Sequence, residues 1–493
     1  MRSPQDRIAS MKLHLLGVAL AAAIAPGVAA AQSKDATTAE LKEQIAKMQA
    51  QLQQQQQAMQ QMQQRLSELE TTQQAQAAAA PTVAPAVAAA AQPVTDADIP
   101  QQEPASRIHK PPSALAGVEE PPPSGYVRLG DSGNMVKLDV VAQTDMMFDN
   151  KLMPYKDLFI PAGIPVEGQP FHDSHMQSNL SAKQSVVRMD FRRDTPYGLL
   201  KVVYKNNFFG FGGPDMDYNL QYLYGELEAK DYSILAGYYL SGFTDISVFP
   251  NTLDYEGPNS FTFKYAPQFR YTPVIWRHGE GRLTLPMTLE KPNADIALIS
   301  DNQTYSKYPD VTLGLRYEAP DWHIQWSNLF RNLAVQSASS DRTRSTEAYA
   351  TQLTFAAGVF GDDSVQGWVS TGKGYANFLQ DITGFGLDAA FNPSLDLEAT
   401  DAYAWGMGYT HAWSDAVSSS ASYGYLNINP DFNVFIDQSL PDTTQYASLN
   451  VAWQFSERAM VGAEWLWGHN KTLAGDTGDA QRLQMTFRYD LNP

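Results

Sequence analysis

LQMTFRYD, residues 483–490, alternates without interruption. Leu483, Met485, Phe487 and Tyr489 fall on one face of an extended chain, and Gln484, Thr486, Arg488 and Asp490 on the other. One face suits an apolar surrounding and the other suits water. A soluble two-layer sheet also alternates in this way, so the choice rests on the chain upstream.

Back to Gly125 the pattern recurs in stretches of about 9 to 14 residues, the length that crosses an apolar membrane band when tilted. Short connections centre on 194–197, 229–231, 273–280, 319–321, 361–363, 413–415 and 456–457. Long ones fall near 150–182, 209–217, 242–259, 291–308, 332–346, 376–397, 428–442 and 469–479. Seven turns and eight loops give sixteen strands, with both chain ends on the side of the turns. Trp322, Trp326, Trp453, Trp465 and Trp467 stand near strand ends, where aromatic girdles meet a membrane interface. The expectation is an all-β transmembrane barrel of about 16 antiparallel strands over residues 125–493, with an α-helical coiled coil before it.

The N-terminal zones agree with export. Residues 1–31 read as a signal peptide: Arg7 and Lys12, an apolar stretch from Leu13 to Ala25, then Ala29-Ala30-Ala31. Residues 32–70 read as a coiled coil, with Leu41, Ile45, Met48, Leu52, Met59, Met62, Leu66 and Leu69 in heptad spacing broken by Gln55. Such a seam needs partner chains, and further copies of this chain are the simplest supply. Residues 71–124 are rich in Ala and Pro, including Pro121-Pro122-Pro123, and read as an extended spacer.

Composition narrows the chemistry. There is no cysteine, which removes disulfides, thiol catalysis and Cys metal sites. Elsewhere no stretch reaches the length of a transmembrane helix. The net charge of -18 is unevenly placed. Residues 183–316 hold 14 Lys+Arg against 15 Asp+Glu, whereas 317–493 hold 8 against 20. Cations therefore gather in the middle of the chain, and nothing in the pattern calls for nucleic acid.

Assigning the apolar phase of each strand to lipid turns the other phase toward the lumen. Val187, Met189 and Phe191 outward place Arg188, Asp190 and Arg192 inward; Leu200, Val202 and Tyr204 outward place Lys201 and Lys205 inward. By the same rule Phe263, Tyr265, Phe269 and Tyr271 send Lys264, Gln268 and Arg270 inward. Leu283 and Leu285 send Arg282 inward, and Leu313, Leu315 and Tyr317 send Arg316 inward. Inward acids on these strands are expected to be few, chiefly Asp190, Glu290 and Glu318. A basic stripe in a low-dielectric wall favours small anions, especially carboxylates; the plainer reading is a wall that is merely wetted and paired. The connection 241–260 is long enough to enter the lumen and could set Asp245, Asp254 and Glu256 against the stripe as a constriction, or lie outside as a surface loop.

Several segments resemble the DcaP-like outer-membrane porins. They are Ile234-Leu235-Ala236-Gly237, FPNTLDYEGPNS at 249–260, Ala266-Pro267-Gln268-Phe269-Arg270-Tyr271-Thr272, Lys183-Gln184-Ser185 and Thr195-Pro196-Tyr197-Gly198. The resemblance implies a homotrimeric sixteen-stranded porin with a periplasmic coiled coil, passing small anionic solutes such as dicarboxylates. It points to Lys183, Gln268 and Arg270 for the pore wall and to Asp254 and Glu256 for the inward loop. This chain departs from the family pattern in two places. Val186 and Val187 stand where an Arg is usual, with Arg188 one step later. Gln221, Tyr222 and Leu223 stand where basic residues usually precede the Tyr224-Gly225-Glu226 motif.

The expected location is the bacterial outer membrane, with the N-terminal segment in the periplasm and lipid around the barrel. Neither a cofactor nor a metal is expected, and no catalytic group: the eight histidines are scattered, and His172-Asp173 with His175 lacks a nucleophile nearby. The competing reading is a trimeric envelope tether, touching peptidoglycan through the coiled coil, with an incidental pore.

Overall fold

The computed structural model describes residues 125–491 except 131–132, 211–215, 299–301, 341 and 431–436. The segments expected as signal peptide, coiled coil and spacer lie outside the described residues.

Residues 134–490 form a closed barrel of 16 antiparallel strands. In chain order these are β1 (Asn134–Asp149), β2 (Gln177–Ser181 and Val186–Thr195), β3 (Gly198–Asn207), β4 (Asn219–Glu228) and β5 (Tyr232–Leu240). Then come β6 (Tyr265–His278), β7 (Gly281–Thr284 and Met287–Glu290), β8 (Asn302–Tyr305 and Asp310–Ala319), β9 (Trp322–Ser337), β10 (Thr343–Val359) and β11 (Asp363–Lys373). The last five are β12 (Asp401–Ser414), β13 (Val417–Asn429), β14 (Pro441–Ser456), β15 (Ala459–Thr472) and β16 (Thr477–Asp490). β16 pairs with β1, Val141 opposite Asp490 through Asp149 opposite Arg482, and this seam leaves the barrel without an edge. Leu483, Met485 and Phe487 are exposed on the outer face while Gln484 and Thr486 are buried inside, so the alternation of this strand separates the outer face of the barrel from the inner one.

Boundaries differ from expectation where a strand outruns its apolar band. The turn expected over 273–280 shrinks to Gly279-Glu280, because β6 continues through Pro273 to His278 with a register irregularity between Val274 and Trp276. That bulge lets a residue without an N–H remain in the ladder. The long connections expected at 332–346 and 469–479 are short ones at 338–342 and 473–476, since β9, β10, β15 and β16 run to 14–17 residues. Phe263, expected to face lipid, precedes β6 and packs with Phe249 on the buried Val248, Phe261 and Trp368.

Three long connections fold inward. Ile160 and Ala162 come from the first (150–176), Phe243 from the third (241–264), and Tyr375, Phe378, Leu379, Ile382 and Leu387 from the sixth (374–400). They form one apolar cluster with the inward Leu329, Ala350, Ala404, Leu426 and Ile428 of β9, β10, β12 and β13. Each large side chain so buried contributes roughly 1.5–3 kcal/mol. The inner wall of β9–β16 is thus covered by loop, and among the described residues these loops make no such apolar cluster with the cation-bearing strands β2–β8.

Candidate functional site: the inner wall and the inward loop

The third connection runs around the inside of the barrel. Asn251 donates to Thr410 Oγ1 on β12 at 3.2 Å, and Asn259 donates to Thr444 Oγ1 on β14 at 2.7 Å. The backbone N–H groups of Leu253 and Asp254 donate to Glu464 on β15 at 2.9 and 2.7 Å, and Gln484 on β16 donates to the Leu253 carbonyl at 2.9 Å. Inward glycines make room for this path. A Cβ at Gly408 would stand 2.7 Å from Pro250, one at Gly424 2.4 Å from Asn259 Oδ1, and one at Gly462 2.7 Å from Leu253. Glycine at these positions leaves room for the loop side chains Pro250, Asn259 and Leu253 against the wall.

Of the acids expected to face the basic stripe from this loop, Asp245 meets Arg316 of the stripe, and Asp254 accepts backbone N–H groups of the loops. Asp245 is buried: its Oδ1 accepts from Arg316 at 3.0 Å, and its Oδ2 meets His323 Nε2 at 3.0 Å and Thr354 Oγ1 at 2.6 Å. Burial alone would raise the pKa of Asp245, but the Arg316 guanidinium, His323 and Thr354 outweigh it and keep the carboxyl well below its usual range. Asp254 accepts from the Phe159 N–H at 3.3 Å and the Gly257 N–H at 2.9 Å. Burial pushes it up to about 6, with Arg482 and the two backbone donors opposing. Glu256 is raised well above its usual value by burial, then by Asp254 and Asp381. Asp381 of the sixth connection accepts from Ala162 N and Thr444 Oγ1 and is pushed up to about 7 by burial.

On the stripe itself, more acids face inward than the sequence suggested. Asp190 takes Arg192 through both oxygens at 3.1 Å and Arg188 at 3.3 Å. Lys201 is paired with Glu228, its Nζ also 3.9 Å from Glu226. Arg282 and Arg316 share Glu318 at 2.7 and 2.8 Å. Lys183 stands in the break between the two pieces of β2 and pairs with Asp157 of the first connection at 2.8 Å. Burial raises the Asp157 carboxyl, yet hydrogen bonds from Lys183, Ser181 and Asn179 leave it lowered overall. Glu226, Glu228 and Asp157 were legible as acids, and the phase of β4 gave the first two away. Asp157 needed the fold of the first connection.

Lys205, Arg270 and Lys264 stand apart: among the described residues none of the three has a carboxylate at ion-pair distance. Lys264 is buried at the sixth connection, over the Phe378 ring at 4.1 Å and 3.4 Å from the Asn293 carbonyl. Arg270 donates to the Leu240 carbonyl at 2.6 Å and to Gln268 Oε1 at 2.8 Å, while Gln268 Nε2 holds the Leu240 carbonyl at 2.8 Å. Lys205, half-buried, is the cross-strand partner of both Arg188 and Tyr222. No group of three or more His, Asp or Glu side chains among the described residues could hold a metal ion.

A closed barrel with an inward loop and a charged inner wall is an outer-membrane channel, a porin in the broad sense. The sequence model of the DcaP outer membrane protein family matches residues 162–491, and the chain belongs to that family. Among solved structures it is similar to the outer membrane channel DcaP of Acinetobacter baumannii, at 15% identity and a TM-score of 0.62, covering 75% of this chain and 100% of that one. OmpT of Vibrio cholerae follows at 13% identity and a TM-score of 0.46, covering 73% and 99%. A Salmonella typhi OmpF complex with daunomycin stands at 8% identity and 0.47, covering 74% and 100%. A search among curated proteins found no match by sequence.

Proposed function

We propose that this outer-membrane channel passes small hydrophilic solutes with a preference for anions, carboxylate-bearing ones such as dicarboxylates among them. The observation that carries the reading is one of placement: the inward cations gather on β2–β8, while the apolar loop clusters cover β9–β16. Positive charge thus borders the part of the inner wall that these apolar clusters leave uncovered, and a low-dielectric wall focuses its field there. Three copies joined through the heptads of 32–70, with 71–124 as a spacer in the periplasm, complete the proposed assembly.

The test is the reversal potential of the purified full-length protein in a planar bilayer under a potassium chloride gradient. A potential on the chloride side supports the reading. A cation preference, or none, would remove it.

A further inference from the structure

The inner faces of β4 and β5 carry a tyrosine patch where the sequence shows no basic residue. Tyr222 and Tyr224 lie on the lumen side of β4, because their β3 partners Lys205 and Val203 do, and Leu223 between them is exposed outside. Tyr239 of β5 meets both, its ring centroid 4.9 Å from Tyr222 and 4.5 Å from Tyr224. Three rings in mutual edge and tilted contact make a paved, rotamer-locked surface.

Lys205 and Arg270, half-buried and without a carboxylate at ion-pair distance among the described residues, stand on this paving. Lys205 Nζ lies 5.2 Å above the centre of the Tyr222 ring, and Arg270 Cζ lies 5.6 Å above that of Tyr239. Both distances are within the range at which a ring face attracts a cation. A ring and a carboxylate fix a cation in different ways: the carboxylate cancels its charge, whereas the ring's quadrupole holds it in place and leaves a net positive charge. Arg188, Arg192, Lys201, Arg282 and Arg316 are of the first kind.

We infer that Lys205 and Arg270 are the charges that set the channel's anion preference, and that Tyr222 and Tyr239 are positioning residues that hold them over the lumen without neutralising them. This rests on the proposed anion preference and names the part of the wall that produces it. The carboxylate-paired cations then hold the wall together more than they filter, and Lys264 is buried against Phe378 and the Asn293 carbonyl.

The experiment compares reversal potentials of the full-length protein in the same gradient, with a heat-resistant folded band as the check that each variant has folded. Tyr222→Phe with Tyr239→Phe keeps both rings and is expected to match the wild type. Tyr222→Leu with Tyr239→Leu, and Lys205→Gln with Arg270→Gln, are expected to lower the chloride-to-potassium permeability ratio at least about threefold. Arg282→Gln is expected to change it little. Leucine variants as selective as an anion-preferring wild type overturn this assignment alone, as does an Arg282→Gln loss equal to that of the Lys205 and Arg270 pair. A wild type without anion preference overturns the proposed function and this assignment with it.

Discussion

The carboxylate of Glu464 accepts the backbone N–H of Asp254 at 2.7 Å, tying a residue of the third connection to one 210 positions later in the chain. The same Oε2 takes the N–H of Leu253, and Oε1 takes Asn450 Nδ2 at 3.0 Å, so one side chain on β15 pins the tip of the inward loop.

Removing that acceptor leaves two buried N–H groups without a partner. Glu464→Ala is expected to destabilise the docked loop by about 2–4 kcal/mol, and Glu464→Gln, which keeps an acceptor oxygen, by less. Single-channel recording checks this through larger and noisier current steps in the alanine variant. Steps identical to wild type would show that the loop stays seated without Glu464.

Acidity should tighten the same attachment. Asp254 and Asp381 titrate near 6 and 7 when the loops are docked, above the ordinary value of 3.8 that a released loop would show. The docked form therefore binds more protons between about pH 4 and 7. Their contribution to docking is fully present below the ordinary carboxylate range and is lost as pH rises through 6 to 7. Hydrogen exchange of residues 250–260 at pH 5 and pH 8 reads it, with faster exchange at pH 8 after correction for the intrinsic rate. Equal protection would exclude the coupling.

At the root of the loop the sign is reversed, because Asp245 is held low by Arg316 and His323. Asp245→Asn leaves Arg316 with Glu318 as its remaining carboxylate partner. Breaking a buried pair in this way costs about 3–5 kcal/mol. Thermal unfolding should fall accordingly. A variant as heat-stable as wild type would show that the ion pair does not fasten the loop.

The glycine bed admits a steric test. Gly424→Ala brings a Cβ against Asn259 Oδ1 and Ser260 Oγ, at 2.4 and 2.8 Å before relaxation. The expected cost is about 1–3 kcal/mol, together with a displaced loop and altered conductance. Gly225→Ala on β4, whose Cβ would meet only the Lys201 carbonyl at 3.9 Å, serves as the control. Equal behaviour of the two variants would mean that the loop does not depend on this bed.

The barrel was legible because its signal is local. Alternation as clear as that of Leu483–Asp490 assigns both faces of a strand, and turn chemistry marks most of the ends. Boundaries slipped where local cues conflict with pairing, as at Pro273, which reads as a turn and stands in a strand. The phase of a strand assigns Arg188, Lys205 and Arg270 to one face, but charge balance is not a property of one strand. Asp245 meets the stripe only at Arg316, and its other partners, His323 and Thr354, come from two further strands that no reading of the loop alone brings together. The tyrosine patch was within reach: Leu223 outward requires Tyr222 and Tyr224 inward, and the missing step was to treat a ring as a support for charge.

The inward loop belongs to the middle of the chain, yet its bed of Gly408, Gly424 and Gly462, with Glu464 and Gln484, belongs to the last five strands. Until those strands are in place and β16 has met β1, the loop has nowhere to lie. The seating of a loop from the middle of the chain is thus a property of the far strands, and a change made in either is felt in the other.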